Sequence, residues 1–380
     1  MRPAPRTRSL GLHPTLTPCA LDHTIPRCWQ TKPPSRAVAI AAFGADWAWI
    51  RRPAFVVYDP TPYRQTYAPP NDRIRIHTNE PRLFALADRL WERAAPSPSG
   101  EDGRHRELEF ALFVVRDRGD RPAADDGESW TIEPEHHSLD FAGSLKLRIE
   151  FHPPRVTGQV SESLLATRPA DVARLLLEAP GAGLLSRRGY MVAHAGVVVG
   201  PAGAVVIRGG SGAGKSTLVA AAHRAGFGVL GDEAVLVARD DCDELAAAVR
   251  DLTVMPDVAR LLGIEAITEP TGVGGQQKRR IDLFATSTPA VRRARRVTTV
   301  LLGERDRSPA QLVPLPASQF VAAFRIGEIV QERWAGDPDQ LARDWGERGG
   351  YRLDGAADLS GALRLLQQLT GLSRTVQRAS

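Results

Sequence analysis

The chain has 380 residues, of which 43% are hydrophobic, so it is long enough for two domains and a sizeable buried core. Its formal net charge of +5 would by itself suggest a nucleic-acid partner. Residues 1–36 account for that charge, because the remainder holds 43 basic and 43 acidic residues. The charge therefore does not support nucleic-acid binding.

Cysteine usage and hydropathy indicate a cytoplasmic protein. Cys19, Cys28 and Cys242 lack the spacing of a zinc site or a disulfide framework. No apolar run approaches the roughly 18 residues that a membrane span needs. The N-terminus has no continuous apolar stretch of the kind found in secretory signals. We therefore expect no membrane partner.

The first half of the chain predicts a proline-rich, disordered tail over 1–36 and an α+β domain over 37–165. Pro81 opens a helix whose aromatic residues are expected in the core, and polar loops are expected at 95–105 and 117–129. His136 and His137 are interpreted as solvated loop residues without a metal role. Apolar or alternating runs predict strands at 47–50, 54–58, 73–77, 108–115 and 145–151.

The second half predicts an α/β domain over 166–375. Pro169 begins a helix that the sequence Ala179-Pro180-Gly181 is expected to end. Val197–Val199 and Ala204–Ile207 predict a β-hairpin. Further on, 297–302 predicts a strand and 358–369 a terminal helix with a leucine stripe.

The segment 209–217 reads G-G-S-G-A-G-K-S-T and fits the phosphate-binding pattern G-x-x-x-x-G-K-[ST]. An apolar strand precedes it and a helix follows, which is the context the motif requires. Lys215 is one of four lysines in a chain with 45 arginines, which indicates that a compact point charge is needed at this position. The nucleotide-binding residues are expected to be Gly209, Gly210, Ser211, Gly212, Ala213, Gly214, Lys215, Ser216 and Thr217.

Two acidic residues end the next apolar strand. Asp232 lies 17 residues after Lys215, and Glu233 follows it directly. Carboxylates at a strand end, close to a phosphate loop, are suited to binding Mg²⁺ or to accepting a proton. We expect Ser216, Asp232 and Glu233 to hold the metal.

Two basic segments follow. Lys278, Arg279 and Arg280 come after a glycine-rich stretch, and they predict either a mobile loop that grips phosphate or substrate, or a solvated turn. The run 292–296 contains four arginines and predicts an exposed surface.

These residues resemble the HPr kinase/phosphorylase superfamily, in its broader set of related serine kinases. The resemblance rests on His194-Ala195-Gly196, the hairpin, the phosphate loop and the sequence G-D-E-A-V-L-V from Gly231, and it covers about residues 185–300. It implies a P-loop kinase domain related to phosphoenolpyruvate carboxykinase. It also implies that Asp232 is the catalytic acid/base, Glu233 a metal-associated acid and His194 an active-site residue.

The chain departs from this family at three points. Glu233 stands where the founding enzymes have aspartate, their later glycine-rich signature is absent, and the predicted N-terminal domain does not resemble theirs. Phosphorylase activity and the identity of the acceptor therefore stay open, as does the oligomeric state, a homo-oligomer included.

The sequence supports a kinase that uses ATP and Mg²⁺ to phosphorylate a serine of a protein or peptide. Lys215, His194, Asp232 and Glu233 are the expected catalytic residues. Two alternatives stay open: a small-molecule kinase on the same fold, and a nucleotide-binding regulator without catalysis.

Overall fold

The computed structural model describes most of the chain from residue 61 to residue 372. The described residues are 61–69, 72–94, 107–116, 128–249, 251–264, 271–273, 276–283, 291–303, 306, 308–327, 329, 332 and 337–372, without the side chains of 271–278 and 282. All of them belong to the compact unit Asp59–Ser380. The predicted tail, the strands predicted at 47–50 and 54–58, and the loop predicted at 95–105 lie outside the described residues.

A mixed sheet forms from the first half of the described chain, in the order β1-β2-β3-β7-β6-β5-β4. The pairs β2–β3 and β3–β7 are parallel and the others antiparallel. The alternating sequence of β6 places every second side chain in the core, as predicted. The strands are β1 (Tyr63–Tyr67), β2 (Ile74–Thr78), β3 (Leu108–Val115), β4 (Glu128–Ile132), β5 (His136–Phe141), β6 (Leu145–Phe151) and β7 (Pro154–Ser161).

Two expectations for this region are wrong. His136 and His137 lie in strand β5 and not in a loop, and His137 is buried with its ring 4.8 Å from that of Phe151. Strand alternation explains this burial, because every second residue of β5 faces the core. The loop predicted at 117–129 extends too far, since β4 already begins at Glu128.

Helix α1 (Arg82–Leu90) follows Pro81, as predicted, and Trp91 after it is buried in the core. The helical segment after Pro169 is longer than the sequence predicts, and Pro180 does not end it. It comprises α3 (Pro169–Val172), a π-helix (Ala173–Glu178) and α4 (Ala179–Ser186), and a separate short helix, α2 (Glu162–Thr167), precedes it. Because the backbone widens into a π-helix, Pro180 falls in the first turn of α4, where a helix needs no N–H donor.

The second sheet is also mixed and contains the predicted hairpin. It is built around β17, which pairs in parallel with β10 and β19 and antiparallel with β13. Its strands are β8 (Tyr190–Ala193), β9 (Gly196–Gly200), β10 (Gly203–Arg208), β11 (Gly228–Gly231), β12 (Val235–Ala238), β13 (Glu244–Ala247), β17 (Arg293–Leu302), β18 (Gln311–Leu315) and β19 (Gly350–Asp354).

Strand β10 is buried on both faces, which explains its continuous apolar sequence. Val205 and Ile207 pack with residues of one helix pair, and Ala204 and Val206 pack with the other. On the first face lie α5 (Lys215–Arg224) and α9 (Leu359–Thr370), and on the second α7 (Ala317–Phe324) and α8 (Pro338–Glu347). This sandwich fixes the end of β10, where the phosphate loop begins.

A small sheet lies beside α5, in the order β14-β16-β15. Its strands are β14 (Asp251–Val254), β15 (Thr271–Val273) and β16 (Gln276–Asp282), and α6 (Pro256–Leu262) follows β14. The predicted mobile loop at the basic triplet is therefore wrong, because Lys278, Arg279 and Arg280 all lie in β16.

The first sheet and part of the second share one hydrophobic core. Trp91 marks the junction: its Nε1–H donates to the carbonyl of Ala248 at 3.3 Å, and a Cβ at Gly181 would lie 2.7 Å from its ring. This core includes residues on both sides of position 165. The fold is thus mixed α/β with several mixed sheets, and the division into domains at 165/166 stays a prediction. In the described part of the chain no helix is long and apolar enough to cross a membrane.

Candidate active site

The phosphate loop connects a buried strand to a buried helix, as predicted. Strand β10 ends at Arg208, and α5 begins at Lys215. Gly212 and Gly214 have φ angles of +77° and +102°, a left-handed conformation that favours glycine. The glycine pattern therefore meets a backbone requirement of the turn.

Two further glycines keep the start of the loop close to its neighbours. A Cβ at Gly209 would lie 3.0 Å from the Cβ of Leu302, and one at Gly210 would lie 3.4 Å from Cγ2 of Ile326. Farther along the loop, Ser211 and Gly212 are exposed, whereas Ala213, Gly214, Ser216 and Thr217 are half-buried. The loop is anchored at its start and open to solvent at its tip.

The N-terminus of α5 points into this loop. Its N-cap, Gly214, has no side chain that could cap the helix. The first backbone N–H groups of a helix have no intrahelical acceptor, and the helix dipole favours an anion beside them. The loop and the first turn of α5 can therefore bind phosphate oxygens.

Lys215 is buried at the base of the loop. Its Nζ donates to the carbonyl oxygens of Gly209 at 2.7 Å and Gly210 at 3.3 Å. These contacts hold the ammonium group on the loop itself, where it can interact with a bound phosphate.

Asp232 follows β11 and lies deep in the site, with 1% of its surface exposed. Its Oδ2 accepts a hydrogen bond from the backbone N–H of Thr253 at 3.3 Å. Burial, followed by the charge of Glu233, raises the pKa of Asp232 well above its usual range, while the Ser216 hydroxyl and the Thr253 amide act against this rise. The structure thus brings together Ser216 and Asp232, as predicted.

Glu233 lies beside Asp232 and is held by the same neighbour. Its Oε1 accepts a hydrogen bond from the Thr253 hydroxyl at 2.8 Å. The turn that carries both acids approaches α5 through Gly196, where a Cβ would lie 2.4 Å from Cγ2 of Val219 and 3.8 Å from Cα of Asp232. Gly196 is therefore needed for the space between the acidic turn and α5.

His194 is half-buried at the end of β8. Its Nδ1 lies 2.8 Å from the carbonyl oxygen of Gly327, so Nδ1 is the donor and Nε2 is the acceptor in the neutral ring. Burial and the nearby Lys215 ammonium lower the pKa of His194. A neutral imidazole is therefore the favoured form.

Sequence reasoning missed a buried ion pair next to the loop. Arg208 donates to both carboxylate oxygens of Glu332, with Nη2 2.9 Å from Oε2. Glu332 also accepts from the backbone N–H of His194 at 2.7 Å, and Arg208 donates to the carbonyl of His194 at 3.3 Å. An arginine at the end of an apolar strand is a signal that a buried acidic partner exists.

The predicted role of the basic triplet in binding phosphate or substrate stays a prediction. Arg280 Nε pairs with Asp251 Oδ2 at 2.6 Å, and Arg279 is half-buried. The Lys278 side chain lies outside the described part of the structure. In the run 292–296, Arg292, Arg293 and Arg295 are exposed, Ala294 is half-buried, and Arg296 is buried and bonded to Asp243.

Glu178, in the π-helix, is a further acid that sequence reasoning missed. Burial and the charge of Glu233 raise its pKa to about 8. The charge of Arg280 lowers the pKa of Glu178, and the charge of Asp251 raises it. Glu178 is thus a further acid within electrostatic range of Glu233.

The residues present are compatible with Mg²⁺ bound together with a nucleotide. In the part of the chain that the structure describes, no group of three or more His, Cys, Asp or Glu could hold a metal ion alone. Mg²⁺ needs no such group, since it commonly takes one or two carboxylates and the phosphates of its substrate. Asp232 Oδ1 is buried and receives no hydrogen bond from a described residue, so it can serve as a ligand.

Comparison with known proteins gives the chain no family. No protein-family model matches it, and no curated protein matches it. The geometry of the site is therefore the basis for a functional assignment.

Proposed function

We propose that the chain is an ATP- and Mg²⁺-dependent kinase that phosphorylates a serine hydroxyl of a protein or peptide. The observation that carries the proposal is the position of the Ser216 side chain beside the buried Asp232 carboxyl, one residue after the Lys215 ammonium. A phosphate loop alone would support nucleotide binding. A buried carboxylate at the same place adds a group that can accept a proton.

In this mechanism the backbone amides of 210–215 bind the phosphates, and Lys215 neutralises charge on the bridge between the β- and γ-phosphates. The serine oxygen of the acceptor attacks the γ-phosphorus as the bond to the leaving ADP oxygen breaks. Asp232 accepts the hydroxyl proton. Mg²⁺, held by Ser216, Asp232 and Glu233, would supply further neutralisation of phosphate charge.

In the metal-free site the pKa of Asp232 is raised above that of an ordinary aspartate, which makes the carboxylate a stronger base; bound Mg²⁺ would act in the opposite direction. His194, neutral with Nε2 as acceptor, can take a hydrogen bond from substrate. Its Nδ1 contact to Gly327 orients the ring for this role.

The test is transfer of labelled γ-phosphate from ATP into a bacterial lysate that has been separated into protein and small-molecule fractions. Wild type is compared with Asp232→Asn and Lys215→Ala. Asp240→Asn, at an exposed position, and Lys146→Ala, on β6, are the matched controls.

We expect label on a protein serine with wild type and both controls, and none with the two site variants. Label only in the small-molecule fraction would mean that the phosphate acceptor is a small molecule and not a protein or peptide. Binding of ATP without transfer to either fraction would contradict the kinase proposal.

A further inference from the structure

Thr253 contacts both acids of the candidate site. Its backbone N–H donates to Asp232 Oδ2 at 3.3 Å, and its hydroxyl donates to Glu233 Oε1 at 2.8 Å. Thr253 lies about 20 residues beyond the acidic pair, in a different strand. No motif in the sequence indicates it.

The strand that carries Thr253 is fixed on both faces. Leu252 and Val254 are buried in the core that includes α5, the helix that follows the phosphate loop. Asp251 and Thr253 alternate with them and therefore point to the opposite side. On that side Asp251 pairs with Arg280, which lies opposite Thr253 in the sheet register.

Two adjacent carboxylates repel each other and, without restraint, adopt several side-chain rotamers. A hydrogen bond to each one fixes its direction and favours its charged form. Since one residue supplies both donors, the relative orientation of Asp232 and Glu233 depends on the position of β14.

We propose that Thr253 is a positioning residue, which holds Asp232 and Glu233 in the arrangement that binds Mg·ATP. The inference rests on the proposed function. The backbone amide of Thr253 binds Asp232 and its hydroxyl binds Glu233, so a substitution of the Thr253 side chain removes only the contact with Glu233. Arg280, through its ion pair with Asp251, supports the same strand.

The substitution Thr253→Val tests this assignment, because valine keeps the shape and the backbone amide but lacks the hydroxyl. Thr253→Ser restores the hydroxyl. Thr299→Val is the matched control: Thr299 is buried in β17, and its hydroxyl has no hydrogen-bond partner among the described residues. Thermal unfolding of every variant verifies that it is folded.

The first measurement is the Mg²⁺ concentration that half-saturates ATP binding. Loss of a residue that orients a metal ligand typically costs about 10- to 100-fold in metal affinity or activity. We expect a shift of this size for Thr253→Val and wild-type behaviour for Thr253→Ser and Thr299→Val. A Thr253→Val protein that needs no more Mg²⁺ than wild type would overturn the inference, as would failure of Thr253→Ser to restore binding.

A double-mutant cycle with Glu233→Gln provides the second measurement. If the Thr253 hydroxyl acts through Glu233, Thr253→Val has little further effect once Glu233 is replaced. Additive effects would contradict the assignment. Failure of the proposed function is distinguishable: wild type would then bind Mg·ATP and transfer no phosphate, while the variants would still differ in Mg²⁺ dependence. Absence of Mg·ATP binding by wild type would overturn both proposals.

Discussion

Arg208 and Glu332 form a two-point ion pair in which each side chain is 1% exposed. The pair lies directly before the phosphate loop and is bonded to the backbone of His194 on both its N–H and carbonyl sides. Arg208 also donates to the carbonyl of Phe324 at 2.5 Å and lies over the ring of that residue. One buried charge pair therefore connects three segments that are far apart in the sequence.

Removing one partner of this pair should destabilise the protein strongly. For Arg208→Met or Glu332→Gln we expect a loss of about 3–5 kcal/mol in the free energy of unfolding, because an uncompensated charge or unpaired polar group stays buried. Arg295→Met is the control: its pair with Asp241 is largely exposed, and its loss should cost about 0–1 kcal/mol. Denaturant unfolding measures both, and equal losses at the two positions would contradict the prediction.

Gly327→Ala should weaken ATP binding. Gly327 has a φ of +86°, and a Cβ there would lie 2.4 Å from the carbonyl oxygen of Gly209, which also accepts from Lys215. The clash with backbone must displace either the loop or the segment that carries Gly327. Calorimetric titration with ATP measures the effect.

Gly349→Ala separates this clash from simple backbone strain. Gly349 has a φ of +82°, but a Cβ there would have no neighbour within 4 Å. Left-handed backbone strain alone should cost each substitution roughly 1–2 kcal/mol in stability, and the clash with Gly209 adds to this cost at Gly327. Only Gly327→Ala should also lower the affinity for ATP, and an equal effect of both on affinity would rule out the contact as its cause.

The pH dependence of phosphate transfer should reflect the raised pKa of Asp232. A general base works when it is deprotonated, and kcat/KM reports the free enzyme, so kcat/KM should rise with pH through a pKa above the usual aspartate range. The charge of Glu233 contributes to the raised pKa of Asp232. In the activity that Glu233→Gln retains, the rising limb of the pH profile should therefore lie at lower pH. Asp232→Asn should abolish the limb and lower the rate about 10²- to 10⁴-fold. A pH profile unchanged by Glu233→Gln would contradict this account.

Glu178 should make stability fall as the pH rises. Its pKa is raised from 4.5 to about 8, so the folded state binds a proton that the unfolded state has already lost. The stability that the protonated Glu178 contributes is fully present below about pH 4.5 and is lost progressively up to about pH 8. Glu178→Gln should flatten the stability curve in this window. Chemical unfolding at several pH values tests it, with Glu162→Gln, at an exposed position in α2, as the control.

The phosphate loop could be predicted because all its determinants are contiguous: two glycines with positive φ, a lysine, and apolar residues before and after. Asp232 and Glu233 could be predicted from their place at the end of the next strand. Strands such as β6 followed from alternation, which is a local property of the sequence.

The remaining site residues could not be predicted in this way. Thr253, Glu178 and Glu332 reach the site through sheet pairing and helix packing, and nothing in their own sequence neighbourhood specifies that contact. The rule that proline ends a helix assumes α-helical geometry, whereas the turns before Pro180 are π-helical. The basic triplet has the composition of a loop, but Arg279 and Arg280 pair with β14 and Lys278 pairs with β15, which makes it a strand.

The core that includes Trp91 and Ala248 has a consequence for cooperativity. Because the first sheet, the helices after it and strands of the second sheet bury one another's side chains, we expect them to unfold in a single transition. Ligand binding at one place then stabilises the whole cooperative unit. ATP bound at the phosphate loop should slow hydrogen exchange of amides in the first sheet, although no residue of that sheet belongs to the candidate site.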